Sequence, residues 1–97
     1  MKIEKSIEGV SAVISLEGWL DTTTAPELKA EIDTLDETIQ SLVLDFEKVE
    51  YISSAGLRQV VAAYVKMKNG EFKVINVSNS VMEIFKMAGF DKKLDIK

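Results

Sequence analysis

The 97-residue sequence predicts one α/β domain over residues 1–97: a mixed sheet of four to five strands, an N-terminal antiparallel hairpin and three main helices. Two observations carry that expectation. Extended runs alternate along the chain with helical stripes in the order β-β-α-β-α-β-α, with a weak final β. Strands that alternate with helices are joined by parallel crossovers. The first two runs, by contrast, are separated only by Glu8-Gly9, a connection short enough for a hairpin alone.

The hairpin is read from Ile3–Ile7 and Val10–Leu16. In its second run Val10, Ala12, Ile14 and Leu16 recur with a period of two, which places one face against a core. Gly18 to Thr24 reads as a loop. Thr24 with Glu27 fits a capping box, and Pro26 is welcome in a first turn, where its missing N–H costs nothing. Leu28, Ile32, Leu35 and Ile39 then form the apolar stripe of a first helix, with Lys29, Glu31, Asp33 and Asp36 toward water.

Ser41–Asp45 is nearly continuous in apolar character, as in a strand covered on both faces, and 46–52 reads as a loop. A second helix runs to about Lys68. Its apolar positions Leu57, Val60, Val61, Tyr64, Val65 and Met67 cover so wide an arc that it should be the most buried of the three. Asn69-Gly70 supplies a left-handed stop. Glu71–Val77 is a strand. Ser80 and Glu83 suggest a second capping box for a third helix with the stripe Val81, Ile84, Phe85 and Ala88, stopped by Gly89, and Leu94–Ile96 is a candidate edge strand.

Composition narrows the chemistry. The chain has no cysteine and no histidine, which removes thiolate chemistry, the commonest general base and the commonest metal ligand. No serine activated by a lysine or carboxylate can be picked out, so an enzyme carries little weight. A net charge of −4 without a basic run argues against nucleic acid. The start is not a signal peptide and no apolar run reaches spanning length, so the expectation is a cytoplasmic protein without direct membrane insertion. Asp21, Asp45, Glu47 and Glu50 lack the spacing of a calcium loop, and neither metal nor cofactor is expected.

Chemistry concentrates at Ser53-Ser54-Ala55-Gly56-Leu57-Arg58, where the third strand region hands over to the second helix. First-turn amides lack internal partners and carry the positive end of the helix dipole, so the junction suits an anion. Either serine can also be a plain N-cap; Ser53 is the better cap by position, which leaves Ser54 in the first turn and open to solvent. Asp21 and Asp45 are read as strand-end residues that a loop could gather beside Ser54, or as acceptors for loop amides. Trp19 is either a lid over the core or an anchor at a partner surface.

Gly18-Trp19-Leu20-Asp21, Leu42-Val43-Leu44-Asp45-Phe46 and Ile52-Ser53-Ser54-Ala55-Gly56-Leu57 together resemble the STAS domains of bacterial anti-sigma factor antagonists over nearly the whole length. On that pattern Ser54 takes the phosphoserine position, with Ser53 as the alternative acceptor. The sequence departs from the pattern at Ser53, where aspartate is usual, and at Arg58, where a second glycine is common. The resemblance implies partner switching. The unphosphorylated protein binds an anti-sigma factor, usually a serine kinase, and frees a sigma factor; phosphorylation drives the partner off and a phosphatase resets the system. Asp21, Thr22, Ser53, Ser54, Ala55, Gly56, Leu57 and Arg58 are then the expected partner-binding residues. A STAS adaptor of a membrane transporter or sensory complex, never phosphorylated, is the alternative that remains open.

Overall fold

A computed structural model describes residues 1–97. Two antiparallel strands, β1 (Lys2–Glu8) and β2 (Ser11–Leu20), open the chain. Then come α1 (Ala25–Asp33), β3 (Ser41–Ile52), α2 (Ser54–Lys66), β4 (Glu71–Ile75) and α3 (Asn79–Met87). The sheet order is β1-β2-β3-β4, parallel from β2 onward. The expected final strand shrinks to one parallel bridge, Val74 with Ile96.

Register explains the core. Ala12 lies opposite Leu42 and Leu42 opposite Phe72; Ile14 lies opposite Leu44 and Leu44 opposite Val74. Directly paired residues share a face, so these rows stack inward beneath the helices and join Leu28, Ile32, Val60, Ala63, Val81 and Phe85 in one cluster. The other face carries no helix: Val13 is exposed, and Ser15, Val43 and Asp45 are half-buried. The third strand is therefore covered on one face, not two. No helix is long and apolar enough to cross a membrane.

Both central strands run longer than their sequence pattern suggests. Residues 18–20 and 46–52 were expected as loops but are strand. Ser15 pairs with Asp45 but Glu17 with Lys48; Gly18 pairs with Val49 but Trp19 with Tyr51. Each shift inserts one extra residue into β3, so its buried positions step from Phe46 to Val49 to Ile52. A bulge resets the pleat, and the period-two signal vanishes although pairing continues.

The helix ends also differ from the expected signals. The Thr24 side chain makes no cap bond to α1; its hydroxyl donates to the Trp19 carbonyl at 2.6 Å and accepts from the Asp21 amide at 2.8 Å. Helix α1 stops at Asp33, and Leu35 is buried from the turn that follows. Helix α2 is not the most buried helix: three of its 13 residues are buried against three of nine in α1, and Val65 and Tyr64 are exposed. It ends without a left-handed residue. Gly70 is needed for a different reason: an added Cβ would lie 2.3 Å from the Gln40 carbonyl oxygen. For α3 the cap is Ser78, which accepts from the Val81 amide, and not Ser80. Gly89, at φ +80°, closes it with its amide on the Lys86 carbonyl and the Phe90 amide on that of Phe85.

Candidate functional site

The junction after β3 is built by two close approaches. The Ser53 amide donates to the Leu20 carbonyl at 2.9 Å, which ties the end of β3 to the end of β2. Gly56 then lies against the same place. An added Cβ would meet the Leu20 carbonyl oxygen at 2.6 Å and the Leu20 Cγ and Ile52 Cγ1 at 2.8 Å. Only glycine lets α2 start this close to the sheet.

Within that frame the two serines are not equivalent. Ser53 is the N-cap, extended at φ −97° and ψ 177°, and its hydroxyl accepts from the Gly56 amide at 3.3 Å. That satisfies one of the orphan amides of α2. Ser54 is the first helical residue, exposed, and its hydroxyl has no protein partner. Serine and aspartate are comparably good N-caps, so Ser53 can serve the cap that an aspartate would serve there.

Beside Ser54 opens a shallow hollow lined by Ser54, Leu57, Arg58, Val61 and Phe90. Leu57 and Val61 are one turn apart on α2, both half-buried, and Phe90 reaches them from the turn after α3. Arg58, the chain's single arginine, is exposed and in no ion pair. Ala55 is half-buried and Gly56 buried. An exposed hydroxyl thus sits at the rim of an apolar floor, with one free cation alongside. Val61 was read from sequence as a core position and Phe90 was missed. The four-residue step from Leu57 to Val61 was a usable signal; nothing local marks Phe90.

Asp21 and Thr22 lie in the turn between β2 and α1, and the bond from Ser53 to Leu20 brings that turn to the same end of the sheet. Asp21 Oδ1 accepts the amides of Thr23 (2.9 Å) and Thr24 (3.1 Å). The Thr24 amide above all holds the Asp21 carboxyl below its usual range, with the Thr23 amide and the Thr24 hydroxyl adding to it against an opposing effect of desolvation. Asp45 is not gathered beside Ser54. It sits mid-strand in β3, where Oδ1 accepts from the Glu47 amide at 3.0 Å and Asn76 Nδ2 at 3.1 Å. The seven residues of strand that follow it carry the chain roughly 20 Å before the junction is reached. Asn76 itself adopts φ +58°, a conformation that asparagine tolerates.

A family model described as the STAS domain matches residues 2–97. BtrV of Bordetella bronchiseptica, provisionally named an anti-sigma factor antagonist, is 35% identical over 81 residues, 80% of this chain and 70% of that protein. The anti-sigma-B factor antagonist of Bacillus subtilis is 28% identical over 85 residues, 86% of this chain and 78% of its own. Among solved structures, an anti-sigma factor antagonist from Mycobacterium paratuberculosis superposes with a TM-score of 0.88 at 27% identity, covering 98% of this chain and 83% of that one.

Proposed function

The chain belongs to the STAS domain family, and from that premise we propose that it is an anti-sigma factor antagonist switched by phosphorylation of Ser54. Unphosphorylated, it binds an anti-sigma factor that is itself a serine kinase, and so frees a sigma factor. The kinase brings ATP and its magnesium, and transfers the γ-phosphoryl group to the Ser54 oxygen. A phosphatase restores the hydroxyl. The partner-binding residues are Asp21, Thr22 and Ser53 to Arg58, with Leu57 as the apolar anchor in the hollow it shares with Val61 and Phe90.

The observation that supports this reading best is the division of labour between the serines. Ser53 is committed to the cap, whereas Ser54 is exposed at the rim of an apolar hollow. A phosphate adds about −1.5 to −2 charges and three strong acceptors. In the free domain the N-terminus of α2 tolerates it, with typically 0.3–1 kcal/mol of favourable dipole interaction per charge. In a docked interface the same group must be stripped of water, and an unpaired buried ion costs several kcal/mol. The asymmetry expels the partner and leaves the fold intact.

Incubation with an anti-sigma kinase and ATP, followed by mass-spectrometric mapping, tests the switch. Phosphate on Ser54 is expected. A chain that stays unmodified yet binds a transporter tightly is instead the adaptor. Ser54→Asp should weaken binding of the anti-sigma factor by roughly tenfold or more at an unchanged melting temperature; equal affinity of the two forms would refute the interface.

A further inference from the structure

Trp19 and Tyr51 lie in register at the ends of β2 and β3, ring centroids 5.4 Å apart and planes inclined at 48°. Their neighbours Leu20 and Ile52 are buried beneath the helices, so strand alternation turns both rings out through the helix-free face. There Trp19 is 57% exposed and Tyr51 41%. This removes the reading of Trp19 as a lid over the core. The indole N–H donates to Glu50 at 3.2 Å, which steadies the ring and leaves its π-surface open. A steadied, exposed aromatic pair adds little to the fold and has the character of an interface anchor.

The same face carries an adjoining hollow lined by Glu4, Glu17, Asp45, Glu47, Lys2 and Lys48. Both lysines are already paired, Lys2 with Glu4 at 3.4 Å and Lys48 with Glu17 at 3.8 Å. Asp45, Glu47 and Glu50 have no cationic partner. Nor do the carboxylates converge as metal ligands would. Aromatic surface beside uncompensated negative charge is complementary to a flat, weakly hydrated cation. A guanidinium can stack on an indole and pair with a carboxylate at once, which an ammonium does less well.

We propose that this face is a second docking surface, which takes an arginine-bearing segment of a partner protein with a guanidinium on Trp19 and basic neighbours over Asp45, Glu47 and Glu50. It uses none of the Ser54 hollow and stands whether or not Ser54 is phosphorylated.

The probe is a blocked oligo-arginine peptide titrated into the whole chain. Trp19, the single tryptophan, reports by fluorescence, and backbone and indole N–H resonances map the site. Saturable change in Trp19 emission is expected, with resonance shifts confined to the indole, 17–19 and 45–51. Trp19→Ala and Tyr51→Ala should each weaken binding about tenfold by calorimetry, and oligo-lysine should bind less tightly than oligo-arginine. Affinity unchanged in Trp19→Ala, or shifts scattered over the helices, would show a polycation drawn merely to an acidic protein and would overturn the proposal. Should Trp19→Ala fail to fold, the shift map of the parent chain and the pair Glu47→Gln and Glu50→Gln decide the matter, since loss of binding in that pair is required.

Discussion

Gly56→Ala isolates the contact that sets the start of α2. Gly56 does not have a positive φ, so alanine suits the backbone and the effect is steric. The new methyl would lie 2.6 Å from the Leu20 carbonyl oxygen and 2.8 Å from two buried side-chain carbons. Ordinary contact requires several tenths of an ångström more at each. The carbonyl cannot retreat freely, because it holds the Ser53 amide at 2.9 Å. Leu20 and Ile52 are 0% and 1% exposed and have no open space to move into. Overpacking of this kind costs typically 1–3 kcal/mol, and the better helix propensity of alanine returns at most about 1 kcal/mol. With three contacts this short, one of them to backbone, the upper part of that range applies, and a net loss of about 1–2 kcal/mol follows, or roughly 5–15 °C in melting temperature for a domain this small. Thermal and urea unfolding followed by circular dichroism measure it. Gly9→Ala is the control: its Cβ meets nothing within 4 Å, and only the φ of +62° opposes it. A Gly56→Ala protein as stable as the parent would refute the close approach, and with it the reason that glycine stands in the motif.

Other substitutions separate the roles around Ser54. Ser53→Ala removes the α2 cap and should cost about 0.5–2 kcal/mol in urea unfolding, while leaving Ser54 open to a kinase; loss of the phosphate together with full stability would reverse the assignment of the two serines. Leu57→Ala should weaken anti-sigma factor binding about tenfold or more in calorimetry, with a smaller loss of stability than a core leucine such as Leu44→Ala, at 2–5 kcal/mol. The carboxyls of Asp21, Asp33 and Asp36 are held low, by the Thr24 amide, the Lys29 side chain and the Thr38 hydroxyl respectively. Groups depressed in the folded state contribute stability above their unfolded pKa of about 3.9, and that stability is lost as pH falls through the lower folded values. With no histidine in the chain, the urea midpoint should be nearly flat from about pH 5.5 to 7.5 and fall only below about pH 4. A slope in the neutral range would contradict this.

Much of this protein is written locally. Alternation in Ala12, Ile14 and Leu16 names the inward face of β2, and Glu8-Gly9 forces the hairpin. The stripes that run through Ile32, Val60 and Phe85 place three helices, and the order of strands and helices fixes parallel pairing after the first turn. Ser53 and Ser54 at a helix start could be ranked by position alone, because a cap is a property of four consecutive residues.

What the sequence could not determine are relations between segments distant along the chain. The continuation of β3 from Phe46 to Ile52 is invisible in its own pattern, because two bulges against β2 shift the buried phase from every second residue to every third. The same pairing places Tyr51 beside Trp19 and turns both away from the core that Trp19 was as well suited to cover. Gly70 and Gly56 look like a stop signal and a motif letter, yet each is required by a carbonyl from another strand end, that of Gln40 and that of Leu20. Phe90 enters the Ser54 hollow only because α3 brings it there. Periodicity encodes the geometry of one element; a bulge, a close approach and the floor of a hollow come into being only when two elements meet, and there tertiary packing decides.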